Sequence, residues 1–354
     1  MDWVEPDLTP YEFLITSLFM LKSRLRSPRA SWVRFVPDRP ASKRRRLVNR
    51  LKRLVGQSYR LPILSLNDTD LLATLRRRGV AEVHLDQLQF ESTSAMWLAA
   101  QELARQLPSA ANLGVNGETD FQGHCLHADS AKFVLDYPEI LLWGLNDRLL
   151  DVLENYMRSA PALIGVALRK DSPNGLQIGT RQWHIDAEDQ YVVKVLVYLN
   201  DVPREAGPFE YVAKDRFNPR WRYWSRFLVR FRPGYDCDQG FEKLVPADRW
   251  SCAVGQAGTA VIADTAQVFH HGSVATDGER LALIFAYTTQ KPKLMSLCQK
   301  FFPRADLLPQ LTPRLSLRQW RCLMGWRGVP VGEIGPGELG MPVLVSSAVE
   351  RPIQ

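Results

Sequence analysis

A histidine and an aspartate two residues apart carry the clearest chemical signal in the sequence. They are His184 and Asp186, in the tetrapeptide Trp-His-Ile-Asp. On a β-strand, residues two apart point to the same face with their Cα atoms about 6.6 Å apart, so both side chains can reach one ion. Imidazole and carboxylate groups suit a divalent first-row metal, and a second histidine would complete a facial triad with three open positions.

Two adjacent histidines and an arginine follow later in the chain. His270 and His271 are candidates for the third metal ligand, and Arg280 stands ten residues after His270. A planar guanidinium pairs with a carboxylate through two hydrogen bonds, so Arg280 could hold the far end of a dicarboxylate that chelates the metal. The HxD spacing is weak by itself, but with a later histidine and arginine it predicts a metal site that takes a dicarboxylate.

With these residues the chain resembles the phytanoyl-CoA dioxygenase-like branch of the iron(II)/2-oxoglutarate-dependent oxygenases. The resemblance covers about residues 68–290, and its specific motifs lie between 180 and 290. The matching stretches are residues 183–186, the strand 192–199 with Asn200 and Asp201, the Gly-Pro turn at 207–212, residues 258–264, His-His-Gly-Ser at 270–273, and Arg280. The chain departs from the family at 213–216, where Ala-Lys-Asp-Arg replaces the familiar Pro-Gly-Ser-His.

The resemblance implies a fold, a cofactor and a reaction. The fold would be a double-stranded β-helix, a jelly-roll barrel with Fe(II) at its mouth. His184, Asp186 and His270 would hold the iron, with His271 as the alternative third ligand. 2-Oxoglutarate would take two open positions, with Arg280 at its far carboxylate, and O2 would take the third. The expected outcome is hydroxylation of a small-molecule substrate with release of succinate and CO2.

Other functions remain open at this point. The chain could be a catalytically silent jelly-roll binding protein, or a desaturase or epimerase of the same fold. Halogenases of this fold have a small residue in place of the aspartate ligand, so Asp186 argues against halide chemistry. For the substrate pocket we expect Trp183, together with Trp221, Arg222 and Trp224 of an aromatic and basic insertion.

The elements that position these residues are predicted to be helices first and short strands afterwards. Hydrophobic periodicity predicts a helix from residue 68 or 69 to 78, and others at 92–107, 138–157 and 312–325. Predicted strands lie at 80–85, 163–169, 181–186, 191–199, 209–212, 259–263, 268–271 and 281–288. This order predicts an α+β fold, mainly β with helical support, around a jelly-roll core.

Two further motifs are interpreted as structural. His124 and His127 flank Cys125 in a single local cluster that no partner pair at zinc spacing follows, so we expect loop histidines. The literal GxGxxG at 335–340 has no strand before it and no helix after it. We therefore expect a Gly- and Pro-rich tail there, and no dinucleotide site.

Composition indicates a globular protein. Of the 354 residues, 45% are hydrophobic and 23% are charged, which excludes disorder of the whole chain. No apolar run reaches the roughly 18 residues of a membrane-spanning helix. The five cysteines include no CxxC pair, so they predict neither a disulfide framework nor a zinc ribbon. Acidic residues before the apolar run 13–21 are unlike a secretory signal, and we expect a cytoplasmic protein.

The net charge of +7 is concentrated near the N-terminus, where residues 22–60 hold fourteen Lys and Arg and one acid. We expect 1–60 to form a short apolar helix and basic arm, 61–300 the oxygenase domain, and 301–354 a C-terminal helix and tail. The arm has three interpretations: a solvated extension, a contact of residues 13–60 with the anionic inner face of a membrane, or a nucleic-acid contact. Nucleic acid ranks last because no recognition motif accompanies the charge.

Overall fold

Two antiparallel sheets lie at the centre of the computed structural model. The structure describes residues 61–108, 124–217, 241, 245–298 and 306–327. All of them belong to the second of the chain's two units, Met1–Arg60 and Leu61–Gln354. The predicted basic arm, the loop at 112–123, the insertion with Trp221, Arg222 and Trp224, and the Gly- and Pro-rich tail lie outside the described residues.

The described residues include nine strands. In chain order they are β1 (Val80–His84), β2 (Cys125–His127), β3 (Pro161–Asp171), β4 (Val193–Tyr198), β5 (Phe209–Val212), β6 (Ser251–Ala253), β7 (Thr259–Asp264), β8 (Phe269–Gly272) and β9 (Arg280–Thr289). The larger sheet has the order β1-β7-β4-β9-β3-β2, and the smaller sheet has the order β6-β5-β8. An isolated antiparallel bridge between His184 and His270 adds one more segment beside β8.

From β3 to β9 the chain passes back and forth between the sheets in the order of a jelly roll, with the consecutive strands β5 and β6 both in the smaller sheet. β3, β4, β7 and β9 lie in the larger sheet, and β5, β6, β8 and the His184 segment lie in the smaller one. Two facing antiparallel sheets connected in this order form a double-stranded β-helix. The predicted fold class, an α+β fold with a jelly-roll core, is confirmed.

The larger sheet buries different partners on its two faces. On β4, Leu196 and Tyr198 pack with Tyr211 of the smaller sheet, inside the barrel. The alternate residue Val195 packs in the outer cluster with the helices. Burial of each such aliphatic side chain stabilises the fold by about 1.5–3 kcal/mol. Because side chains alternate along a strand, Lys194 shares the inner face with Leu196 and Tyr198.

Eight α-helices accompany the sheets in the described part of the chain. They are α1 (Leu66–Arg78), α2 (Leu85–Leu88), α3 (Thr93–Arg105), α4 (Lys132–Leu135), α5 (Pro138–Gly144), α6 (Asp147–Met157), α7 (Met295–Cys298) and α8 (Leu317–Met324). The first starts before the predicted residue 68 because Ser65 caps it, accepting the Asp68 N–H at 3.1 Å. It ends at Arg78 as predicted, and Gly79 caps it with φ at 78°, a left-handed conformation that glycine adopts without strain.

The predicted helix at 138–157 is two helices, which corrects that expectation. The break falls at Asn146, whose side chain accepts the Arg148 N–H at 3.0 Å and starts α6. An asparagine cap of this kind satisfies a helix N-terminus that would otherwise lack partners. Among the described residues, no helix has the length and apolar character needed to cross a bilayer.

The C-terminal segment packs on the outside of the barrel. Its α-helix starts at Leu317, later than predicted, because Ser316 caps it, and a 3-10 helix at Leu308–Arg314 precedes it. Trp326 is buried in the outer cluster and donates its indole N–H to the carbonyl of Leu163 on β3, at 3.2 Å. This packing places α8 in the helical layer outside the barrel. The domain borders at 60 and 300 stay predictions.

The predicted strand that carries the Trp-His-Ile-Asp motif is not regular. His184 exchanges two backbone hydrogen bonds with His270, at 3.0 and 3.1 Å. Two residues on, the Asp186 N–H donates instead to the carbonyl of Thr265, at 3.0 Å. The segment therefore leaves β8 after one bridge and crosses to the turn that precedes β8, which bends the chain at this motif.

Candidate metal centre

His184, Asp186 and His270 converge on the inner side of the smaller sheet. One ligand atom of each lies within 4.8 Å of the other two. The backbone bridge sets this geometry, since it brings the two imidazole centroids to 4.2 Å. Asp186 lies against both rings, with Oδ1 at 3.9 Å from His184 Nε2 and Oδ2 at 3.8 Å from His270 Nε2. Two imidazoles and a carboxylate at this spacing suit a divalent first-row metal.

Backbone carbonyls orient both rings. His184 Nδ1 lies 2.6 Å from the carbonyl oxygen of Gln182, and His270 Nδ1 lies 3.2 Å from that of Val268. A carbonyl oxygen only accepts, so each Nδ1 carries the hydrogen and donates it. Nε2 is then the unprotonated nitrogen, and in both rings it faces Asp186. Metal-binding histidines are usually held in this way by a contact at the other nitrogen.

Burial sets the charges of the three groups. It lowers the pKa of His184 to about 4 and that of His270 well below its ordinary value, although Asp186 opposes both shifts. Burial would raise the pKa of Asp186, but the Lys194 ammonium and the two imidazoles hold it below its usual range. At neutral pH the site therefore presents two neutral imidazoles and one carboxylate, the forms in which these groups bind a metal.

A lysine that the sequence motifs do not include also faces the centre. Lys194 comes from the inner face of β4, and its Nζ lies 2.6 Å from Asp186 Oδ2. Its side chain is 26% exposed, against 10% for Asp186. The available sequence signal was the alternation of β4, which places Lys194 on the face occupied by Leu196 and Tyr198.

His271 points away from the three residues. Its Nε2 lies 3.0 Å from Glu210 Oε2, and its Nδ1 lies 2.9 Å from the carbonyl oxygen of Arg181. Its ring also stacks on Trp183, with the centroids 4.1 Å apart. Adjacent residues of a strand face opposite sides, so the bridge that turns His270 inward turns His271 outward. The structure thus brings His270 to His184 and Asp186, and leaves His271 with Glu210.

Arg280 lies at the inner start of β9 and already has protein partners. Its Nε and Nη2 donate to Asp171 Oδ2 at 3.2 and 2.9 Å, and its Nη1 donates to the carbonyl of Gly207. A guanidinium has five N–H groups, so these three bonds leave one hydrogen on each terminal nitrogen. These two remaining N–H groups can still donate to one carboxylate. Arg280 also touches the triad's strand, since a Cβ added to Gly272 would meet its Nη2 at 3.0 Å.

A second arginine shares the acid that pairs with Arg280. Arg169, two residues before Asp171 on β3, donates to both of its carboxylate oxygens. Burial alone would raise the pKa of Asp171, but Arg169 and Arg280 hold it well below its usual range. Among the described residues, three cations, Lys194, Arg169 and Arg280, thus lie beside the two carboxylates of Asp171 and Asp186.

The expected substrate residue Trp183 packs in a cluster outside the barrel. Only 1% of it is exposed, and its ring stacks on Phe241 at 4.4 Å and approaches Trp250 at 4.7 Å. Because Trp183 precedes His184 in an extended segment, its side chain points away from the triad. The structure gives Trp183 a packing role, and a place for it in the substrate pocket finds no support.

His124 lies in a bend, as expected of a loop histidine, but it is buried, whereas His127 lies in strand β2 (Cys125–His127), contrary to that expectation. Strand β2 forms by pairing with the end of β3, which is distant in sequence, so the local sequence does not predict this strand. His124, Cys125 and Asp171 also come within ligand spacing of one another. Arg169 and Arg280 already occupy the Asp171 carboxylate, however, and two cations beside it oppose the binding of a further one.

Comparisons with known proteins identify structural neighbours only. No family model and no curated protein sequence matches the chain. Similar solved structures include SnoK, a non-heme alpha ketoglutarate dependent carbocyclase from nogalamycin biosynthesis, which is 14% identical over 72% of this chain and 95% of that chain, with a TM-score of 0.44. EctD from S. alaskensis with 2-oxoglutarate and 5-hydroxyectoine is 15% identical over 71% and 88%, with a TM-score of 0.42. HygX from Streptomyces hygroscopicus with nickel and 2-oxoglutarate is 15% identical over 64% and 88%, with a TM-score of 0.41.

Proposed function

We propose that the chain is a non-haem Fe(II)- and 2-oxoglutarate-dependent oxygenase that hydroxylates a small molecule and releases succinate and CO2. The observation that carries the proposal is the convergence of His184, Asp186 and His270 inside a jelly-roll barrel. Arg280 supports it, because its guanidinium keeps two donors unused on the same inner face. The motif resemblance favours the phytanoyl-CoA dioxygenase-like branch.

The residues fit the metal by charge, donor type and orientation. His184 and His270 would bind it through Nε2, and Asp186 would bind it through a carboxylate oxygen. When bound, Fe(II) with 2-oxoglutarate and O2 supplies the oxidising chemistry. The chain's own part is to keep Nδ1 of both rings protonated against the carbonyls of Gln182 and Val268, so that the rings cannot rotate.

Charge and burial inside the barrel suit a dianion. Arg280 would bind the carboxylate of 2-oxoglutarate that lies farthest from the metal, through the two N–H groups that its partners leave. The excess of cations on the inner face compensates the second negative charge. Leu196 and Tyr198 line the same interior and exclude water, which strengthens each of these charge interactions.

Conversion of 2-oxoglutarate to succinate tests the proposal. The purified full-length chain with Fe(II) should form succinate slowly even without a substrate, and His184→Ala or Asp186→Ala should abolish it. His84→Ala is the control, since His84 is partly exposed on β1, where its ring contacts the carbonyl of Ala257 and not the triad. Full turnover in the two triad variants would refute the oxygenase, and no succinate from the wild type under any substrate would favour a silent binding protein.

Product mass separates the reactions that this fold supports. A substrate screen by 2-oxoglutarate consumption would first supply the molecule that is oxidised. A product about 16 mass units heavier than the substrate indicates hydroxylation, and one about two units lighter indicates desaturation. An unchanged mass with altered stereochemistry indicates epimerisation. All three reactions would use the same oxidant, which the cofactor supplies.

A further inference from the structure

Lys194 places a positive charge against one of the three candidate metal ligands. Its Nζ lies 2.6 Å from Asp186 Oδ2, the oxygen that also lies 3.8 Å from His270 Nε2. A cation bound by Asp186 would therefore share its carboxylate with an ammonium group. Two like charges held this close repel each other strongly in a partly buried site, even at an effective dielectric constant of about 20.

Within the part of the chain that the structure describes, the carboxylates near Lys194 offset this repulsion only in part. Asp171, a second carboxylate on the inner face, already pairs with Arg169 and Arg280. Glu188, two residues after Asp186, interacts favourably with Lys194 and offsets part of its charge. A divalent ion beside Lys194 would therefore outweigh the negative charges of Asp186 and Glu188, and a dianionic ligand would offset the excess.

We propose that Lys194 makes metal binding depend on the anionic cosubstrate: its charge weakens metal binding to the triad until 2-oxoglutarate enters. This inference rests on the proposed function, because it takes the triad as the metal site. Coupling between two ligands is reciprocal, so the metal must tighten 2-oxoglutarate binding by the same factor. The consequence is a centre that holds little metal in the absence of 2-oxoglutarate and fills when both are present.

Direct metal-binding measurements test this without reference to turnover. Mn(II) affinity of the full-length chain would be measured by the electron paramagnetic resonance signal of the free ion, with and without 2-oxoglutarate. Lys194→Met should bind Mn(II) at least about tenfold more tightly than the wild type when 2-oxoglutarate is absent. The gain in Mn(II) affinity on adding 2-oxoglutarate should be correspondingly smaller in the variant.

Two further variants separate charge from shape. Lys194→Arg keeps the charge and should behave as the wild type does. Lys194→Gln keeps a hydrogen-bond donor but not the charge, and should bind Mn(II) as Lys194→Met does. It is the substitute test if Lys194→Met does not fold. Lys170→Met is the matched control. Lys170 lies near Glu279 on the face of β3 that points away from the barrel interior, so its removal should leave Mn(II) affinity unchanged.

The outcomes distinguish this inference from the proposed function. If the wild type binds Mn(II) and Lys194→Met binds it equally or more weakly, the charge coupling is wrong and the metal site stands. If Lys194→Arg behaves like Lys194→Met, charge is not the cause and the coupling is equally wrong. If the wild type binds no Mn(II) with or without 2-oxoglutarate, the proposed function fails and takes the coupling with it.

Discussion

Asp171 and Arg280 lie directly opposite each other on β3 and β9, and both Nε and Nη2 of the arginine donate to one oxygen, Oδ2, of the aspartate. This pairing fixes the plane of the guanidinium before any ligand arrives. It also leaves a hydrogen on each terminal nitrogen for a second carboxylate. A preordered arginine loses less side-chain entropy on binding than a mobile one would. Asp171 therefore positions Arg280 rather than blocking it.

Replacing Arg280 should weaken the binding of 2-oxoglutarate and spare the metal. Loss of a buried charge-assisted pair costs about 2–5 kcal/mol, so Arg280→Gln should raise the KM for 2-oxoglutarate at least about 30-fold. Mn(II) affinity measured without 2-oxoglutarate should change little, because Arg280 contacts Asp171 and Gly207 and none of the triad side chains.

A matched arginine–aspartate pair in the helical layer serves as control. Arg148 donates to both oxygens of Asp68 at 3.0 and 3.2 Å, outside the barrel interior. Arg148→Gln should destabilise the fold without raising the KM. Equal weakening of metal and 2-oxoglutarate by Arg280→Gln would assign Arg280 a structural role.

The two adjacent histidines should respond in opposite ways to substitution. His270→Ala removes a triad nitrogen and should weaken Mn(II) binding by more than about 100-fold, the upper limit for loss of a mere outer contact. His271→Ala should keep Mn(II) affinity and lower the free energy of unfolding by about 1–3 kcal/mol, because Glu210 Oε2 loses its imidazole partner and keeps the Arg204 contact at Oε1. Isothermal titration with Mn(II) and urea unfolding measure the two effects, and a reversed pattern would make His271 the ligand.

Much of the centre was predictable because its residues are close in sequence or follow a fixed order. His184 and Asp186 share a short motif, and His270 and Arg280 follow at a spacing that the resemblance made informative. Asp171 was not predicted, because its role depends on the register of β3 against β9, a pairing of residues 109 positions apart. Alternation within a strand indicates which side a residue faces, but not which strand lies beside it.

The misplaced element borders have local causes of a similar kind. Ser65 and Asn146 start helices through side-chain caps, and the periodicity of apolar residues does not register caps that lie outside the apolar stripe. The motif at His184 was expected on a regular strand, yet the chain turns toward Thr265 after a single bridge. The spacing of His184 and Asp186 still brings them together, since the bridge fixes one and the Thr265 contact fixes the other.

Asp264 should make the stability of the fold depend on pH. It is fully buried at the end of β7, and burial raises its pKa to about 6, although Tyr156 Oη donates to its Oδ2 at 2.8 Å. An aspartate in the unfolded chain has a pKa of about 3.9. Between these values the folded state binds more protons than the unfolded state, so the contribution of Asp264 falls as the pH rises from about 4 to about 6.

Asp264→Asn should remove this dependence. At about pH 7.5 the variant should be more stable than the wild type, by up to about 3 kcal/mol, and the difference should vanish near pH 4. Urea unfolding at several pH values measures it. Asp70→Asn, at an exposed position, should shift stability by less than about 0.5 kcal/mol at every pH. A difference between Asp264→Asn and the wild type that grows as the pH falls would show that Asp264 is ionised throughout.

The basic N-terminal arm, outside the described residues, should attach the chain to anionic membrane surfaces without affecting its chemistry. Residues 22–60 carry fourteen Lys and Arg against one acid, next to the apolar run 13–21. Each basic residue near an anionic bilayer contributes about 1 kcal/mol, and salt screens this attraction within about 10 Å. Full-length protein should therefore sediment with phosphatidylserine vesicles at low salt and be released as salt rises.

Substitution of Lys43, Arg44, Arg45 and Arg46 by glutamine in the full chain should weaken this sedimentation and leave succinate formation unchanged. A chain that starts at Leu61 should lose vesicle binding altogether and keep succinate formation; if it does not fold, the arm belongs to the core. Neutral phosphatidylcholine vesicles are the control for the lipid charge. Protein that ignores phosphatidylserine vesicles but retains nucleic acid in a salt-dependent manner would replace the membrane interpretation with the nucleic-acid one, since both surfaces attract the same cationic arm.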